Sequence, residues 1–208
     1  MTKSLMISIR PQHAFNILNG KKTLELRTWI PKDYVGWVYV YVTKKYPLLN
    51  YIDNKYELMD RKNHIIFHNI GMYEFYNTDI HLNGKVVFRF WFDETYYIKQ
   101  AVNVYGDELN QISIYDNKSY GWKTPKEQQE ILKQLCLTEQ EVLDYGKGKD
   151  LYAWHIKKLE VFDEPKSLSD FYNVNIDELL LRVIIPQYII TKAPQRSVWV
   201  YTKELENE

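Results

Sequence analysis

The stretch Gly20-Lys21-Lys22-Thr23-Leu24-Glu25-Leu26-Arg27 sets a lysine, a glutamate and an arginine at fixed offsets behind a glycine, where a helix hands over to a strand. Upstream, Met6-Ile7-Ser8-Ile9-Arg10-Pro11 reads as a short strand running into a proline, and Ala14, Ile17 and Leu18 follow helical spacing. Gly20 is then a C-terminal cap, since glycine enters the left-handed region without a Cβ clash. Beyond it, Leu24 and Leu26 alternate with Thr23, Glu25 and Arg27. A strand of this pattern buries the leucines and puts Glu25 and Arg27 on one polar face. The residues leave two readings of that face open. It is a cationic and acidic cluster aimed at a ligand, or a solvated face with a local ion pair worth under about 1 kcal/mol.

Gly20, Lys22, Glu25 and Arg27 together fill the pattern GxKxxExR, which resembles the signature of the activating signal cointegrator homology (ASCH) family, similar in fold to the PUA RNA-binding domains. Other segments agree in order: Ser8-Ile9-Arg10-Pro11 ahead of the helix, Gly84-Lys85-Val86-Val87-Phe88 opening a later strand, then Tyr152-Ala153-Trp154-His155-Ile156 and Pro165-Lys166-Ser167-Leu168. The resemblance implies a PUA-like small β-barrel and a nucleic-acid or nucleotide ligand. Some relatives of that fold are small amidohydrolases acting on acylated cytidine, in which the motif lysine works with a threonine where this chain has Glu25. Other relatives are linked to RNA cleavage.

The rest of the chain reads as strands with two interruptions. Trp37 to Thr43 alternates Val38, Val40 and Val42 with Trp37, Tyr39 and Tyr41, and Lys85 to Thr95 sets Val86, Phe88, Phe90 and Phe92 against Val87, Arg89, Trp91 and Asp93. Residues 46–83, rich in tyrosine and asparagine without a sustained period, are expected to be an insertion of hairpin and loop. A second insertion is expected over 99–150. Within it, Thr124-Pro125-Lys126-Glu127 and Thr138-Glu139-Gln140-Glu141 each form a capping box ahead of a helix, the first carrying Ile131, Leu132 and Leu135, the second ending at Gly146. Strand pattern returns over Leu151 to Phe162, a helix is expected from Asn175 through Val183, and the last strand is Arg196 to Thr202. Several strands, a few capped helices and no regular βαβ repeat predict an α+β fold on a small β-barrel with flanking helices. Residues 1–208 are expected to form one domain carrying the two insertions. Leu24, Leu26, Val38, Val40, Val86 and Phe88 are expected to point inward.

Composition narrows the function. With 208 residues and 45% hydrophobic content the chain can bury a sizeable core. No run of about 18 apolar residues and no signal-peptide pattern is present, so a membrane span is not expected, and the single cysteine, Cys136, fits a reducing, cytoplasmic setting. Cys136 shares the Ile131, Leu132, Leu135 register and is expected to be buried. The 27 basic and 27 acidic residues balance, so any phosphate affinity must be local. Aromatic residues make up 15%, with 18 tyrosines and 6 tryptophans, and such rings serve either as β-core or as stacking platforms for bases. His64 and His68 are the one helix-compatible histidine pair, without further ligands at metal spacing, and no Walker, GxSxG or GxGxxG pattern occurs. No metal or cofactor is expected.

The expected site is a cleft lined by Lys22, Glu25 and Arg27, with Arg10 at the first strand's end and His155 and Trp199 from later strands as walls. Lysine donates to phosphate or carbonyl oxygen, glutamate accepts from a base edge or acts as general base, and arginine clamps phosphate or stacks. If the protein is an enzyme, Lys22 and Glu25 carry the catalysis. Three classes remain open: a nucleic-acid or modified-nucleotide binding domain, RNA-related, whose partner is RNA, another single strand or a nucleotide; a small nucleotide- or RNA-directed hydrolase; and a protein-interaction scaffold presented by the insertions.

Overall fold

The computed structural model describes residues 3–60, 81–102, 108–173, 189–195 and 197–202. The expected helix from Asn175 and the His64–His68 pair lie outside them. The chain folds as two compact units of discontinuous sequence, Met1–Leu18, Trp37–Phe90 and Leu159–Glu208 in the first, Asn19–Gly36 and Trp91–Lys158 in the second.

In the first unit, β1 (Ser4–Ile9) is paired parallel with β3 (Gly36–Val42) and antiparallel with β13 (Val198–Thr202). The sheet is completed by β6 (Val86–Phe92) and β11 (Lys158–Lys166) beyond β3, and by β12 (Phe171–Asn173) beyond β13. Leu5, Met6, Ile7, Val38, Val40 and Val42 are fully buried, and Tyr39 and Tyr41 are nearly so. The central strands are thus covered on both faces, as strands with a parallel neighbour usually are. Helix α1 (Pro11–Leu18) starts with proline at its first position, where the missing N–H costs nothing, and buries Ala14 and Ile17. A hairpin of β4 (Leu48–Ile52) and β5 (Lys55–Met59) turns at Asp53-Asn54, both with positive φ, the geometry of a type I′ turn. This hairpin lies within residues 46–83.

The second unit is a five-stranded sheet in the order β2 (Leu24–Arg27), β10 (Leu151–His155), β7 (Thr95–Val102), β8 (Glu108–Asp116), β9 (Gly121–Trp122). One face is aliphatic. Leu24, Leu26, Ile98, Ile112, Ile114, Leu151 and Ala153 pack there with Ile131, Leu132 and Leu135 of α2 (Pro125–Leu135) and Val142 of α3 (Glu139–Gly146). Both expected capping boxes form, Thr124 with Glu127 and Thr138 with Glu141. Mixed and antiparallel sheets with packed helices make the fold α+β, and all six residues expected to point inward are buried.

Three local expectations differ from what forms. The 85–95 stretch is not one strand. It breaks at Asp93-Glu94, whose carboxylates are held by ion pairs with Lys157 and Lys118 and lie against the His155 ring, and β7 starts afresh at Thr95. Likewise Leu151 to Phe162 divides at Ile156-Lys157 into β10 and β11. α3 does end at Gly146 as expected, with Gly146 itself helical and Lys147 as the left-handed cap at φ 49°. At Gly146 a Cβ would lie 3.1 Å from Leu151 Cδ1, so close packing rather than backbone freedom accounts for the glycine. Cys136, expected within the helical register, is the C-cap of α2 with φ 53° and is only half-buried.

Candidate functional site

Everything around the Gly20–Arg27 motif follows from how its turn is fastened. Gly20 takes φ +68°, as its place after α1 requires. The next residues lie against the C-terminal end of α2. The Thr23 amide donates to the Gln134 carbonyl at 3.0 Å, and Cys136 Sγ donates to the Lys21 carbonyl at 3.3 Å. From β10's end, the Ile156 amide donates to the Thr23 carbonyl at 2.9 Å. The turn is therefore held on both sides.

Lys22 is the consequence. A helix C-terminus leaves carbonyls without intrahelical donors and carries partial negative charge, so it suits an ammonium group. Lys22 Nζ donates to the Leu135 carbonyl at 2.7 Å and lies 3.5 Å from Glu25 Oε2. The other carboxylate oxygen, Glu25 Oε1, lies 3.1 Å from Arg27 Nη2. Lys22 is 2% exposed and Glu25 6%, whereas the Arg27 side chain keeps 17%. Lys22 is therefore enclosed rather than solvated. A buried charge is tolerated only when paired and hydrogen-bonded, and this chain of contacts from helix carbonyl to ammonium to carboxylate to guanidinium supplies both. Of the three groups, Arg27 keeps the greatest exposure.

This geometry sets what the trio can do. A general base must come within about 2.6–3.2 Å of the proton it takes. Both Glu25 oxygens are engaged by cations, and the ion pair with Arg27 restrains the plane of its guanidinium.

The other expected site residues fall into two places. His155 lies on β10, in register with Leu24, so it belongs to the same unit as the trio. Its Nδ1 is 3.2 Å from Asp93 Oδ1 and 3.6 Å from Glu94 Oε1, and Lys157 Nζ donates to Asp93 Oδ2. Burial opposes ionisation of Asp93, but the hydrogen bonds from Lys157 and His155 outweigh it and hold the carboxyl below its ordinary range. Arg10 and Trp199 belong to the first unit. Arg10 is exposed, and its carbonyl accepts the amides of His13 and Ala14 that begin α1. Trp199 lies on β13 opposite Leu5, with the Lys3 ammonium 4.3 Å from its ring centroid. The acidic partners of His155 were not foreseen. Their signal was Asp93-Glu94 itself, two carboxylates interrupting an apolar alternation. Among the described residues, no group of three or more His, Cys, Asp and Glu is placed to hold a metal, and no helix is long and apolar enough to cross a membrane.

No family model matches this sequence, and no curated protein matches it. Among solved structures, the chain is similar to the crystal structure of ASCH from Zymomonas mobilis at 15% identity, covering 95% of this chain and 87% of that one with a TM-score of 0.47. It is similar also to a single-substitution mutant of that protein, at 16% identity over 96% of this chain and 91% of that one, TM-score 0.47. These neighbours are ASCH proteins. That is the family whose signature the Gly20–Arg27 motif resembles.

Proposed function

We propose that this chain is a binding module for RNA, another single-stranded nucleic acid or a modified nucleotide, on a PUA-like barrel, with Arg27 as the contact group and Lys22 and Glu25 as its support. The observation that carries this reading is the engagement of both Glu25 oxygens by Lys22 and Arg27, of which Arg27 keeps the greater exposure, 17% for its side chain. The motif's resemblance to the ASCH signature supplies the nucleic-acid direction. The equal count of acidic and basic residues favours a short strand or single nucleotide over a long groove, since a groove needs more phosphate neutralisation.

Titration of the full chain with a panel of nucleosides and short RNA and DNA strands at low salt tests the proposal. Arg27→Ala is expected to weaken binding about tenfold, or about 1.4 kcal/mol. Arg27→Lys keeps Glu25 neutralised while removing the planar fork, so a loss of affinity there with an unchanged melting temperature separates contact from folding. An isotherm that neither variant changes would leave the scaffold reading in front.

A hydrolase is the second reading, and one observation favours it. The His155 ring is held against Asp93, the arrangement that orients an imidazole as general base. Turnover of RNA or nucleotide that is abolished by His155→Ala and kept by Glu25→Gln would bring this reading forward.

A further inference from the structure

The aliphatic face of the five-stranded sheet has been accounted for by α2 and α3; its other face has not. Cross-strand partners in an antiparallel sheet point to the same side. The register sets Arg27 opposite Tyr152, Tyr152 opposite Tyr97, Tyr97 opposite Tyr115, and Tyr115 opposite Trp122. The result is one unbroken row crossing all five strands, a guanidinium followed by four aromatic rings. Tyr97 and Tyr152 have centroids 5.7 Å apart at 48°, and Tyr115 and Trp122 5.2 Å apart at 68°. Neither pair stacks face to face. The three tyrosines are half-buried, and Trp122, on the edge strand, is 54% exposed.

Charge identifies the occupant. Lys99, on the same face of β7 as Tyr97, holds its ammonium 5.1 Å from the Trp122 centroid, so the row has a cation beside each end. Glu25 is neutralised by Lys22 and Arg27, while the exposed Asp150, hydrogen-bonded with the Tyr97 side chain, keeps its charge. Neighbouring strands are about 4.8 Å apart, so the rings extend over about 15 Å, the reach of a few nucleotides. Planar rings with a positive group at each end suit a short single strand, whose bases stack on the rings and whose phosphates meet Arg27 and Lys99.

We infer that the row from Arg27 through Tyr152, Tyr97 and Tyr115 to Trp122 is a base-stacking platform for single-stranded nucleic acid. This rests on the nucleic-acid reading above and gives that reading its surface. Few phosphates are engaged, so salt sensitivity is shallow. With two phosphate contacts the slope of log K against log salt is about −1.4, and Lys99→Ala removes about half of it.

The test uses the full chain with a uridine hexamer and a deoxythymidine hexamer, followed by anisotropy of the labelled strand and by quenching of tryptophan fluorescence. Trp122→Ala and Tyr115→Ala are each expected to weaken binding about tenfold, with Trp122→Phe restoring most of it. Tighter binding of the uridine strand marks RNA as the source of the ligand, and tighter binding of the deoxythymidine strand marks DNA. If Arg27→Lys loses affinity while Trp122→Ala and Tyr115→Ala bind like the parent, the platform is overturned and the nucleic-acid reading stands. If the parent binds neither strand, both are overturned. Self-association that Trp122→Ala abolishes, without strand binding, would overturn the platform in favour of a protein interface.

Discussion

Glu25, Trp154 and Thr95 face one another across β2, β10 and β7 and are buried, with exposures of 6%, 0% and 9%. Two residues further along the same strands, Arg27, Tyr152 and Tyr97 form the next row on the same face, yet they are only half-buried and the row continues to the exposed Trp122. The two rows have the same parity in each strand, and their side chains combine charge and aromatic area in similar measure. What differs is closure. In the first row the Trp154 indole donates to the Trp29 carbonyl at 3.1 Å and packs against Phe92, while Glu25 is engaged on both oxygens. In the second the side chains are only partly enclosed. A sheet face is thus divided along its strands into an enclosed row and a partly exposed one.

The largest expected effects come from the first row. Trp154→Ala and Lys22→Ala should each destabilise the fold by about 3–5 kcal/mol, the first by leaving a cavity and an unpaired carbonyl, the second by leaving the Glu25 charge with one partner fewer. Denaturant titration checks both. If Lys22→Ala costs under about 1 kcal/mol, the buried trio is not a structural unit. Combining Lys22→Met with Glu25→Gln should recover much of the loss, since removing both partners spares the lone buried charge.

A smaller effect is expected at the boundary. Burial first, and then the hydrogen bond with Asp150, pushes the Tyr97 phenol up to about 12. The ordinary value is about 10, so between these limits the folded chain retains a proton that the unfolded chain has lost. This contribution to stability is present in full below pH of about 10 and declines as pH rises towards about 12. Tyr97→Phe should cost about 0.5–1.5 kcal/mol at neutral pH, flatten the alkaline loss of stability, and remove a late-titrating phenol from the ultraviolet absorbance titration.

The smallest effect on folding, and the clearest contrast, is expected at the far end of the second row. Trp122→Ala should change stability by no more than about 0.5 kcal/mol, because the ring is largely solvated, while weakening strand binding as described above. Destabilisation as large as that of Trp154→Ala would show that the two rows do not differ in the way their exposure indicates.

Alternation of Leu24 and Leu26 with Glu25 and Arg27, the two threonine–glutamate capping boxes and the glycine behind α1 were all legible in the sequence. Each depends on residues within a turn or two of one another, where backbone sterics and the two-residue period of a strand leave few choices. The burial of Lys22 was not legible. Its acceptor is a carbonyl 113 residues away, and nothing local distinguishes a lysine under a helix end from one in water. Nor was the aromatic row. Tyr97, Tyr115, Trp122 and Tyr152 lie on four separate strands, and only the register of pairing brings them into line. A shift of one residue in any pairing would have sent that ring to the helix-covered face. The sequence by itself determined the capped helices, the alternation of the strands around Leu24 and Val38, and the charged turn at Gly20–Arg27. The tertiary structure alone decided which charges are enclosed and which rings stand together, because those depend on long-range packing and register.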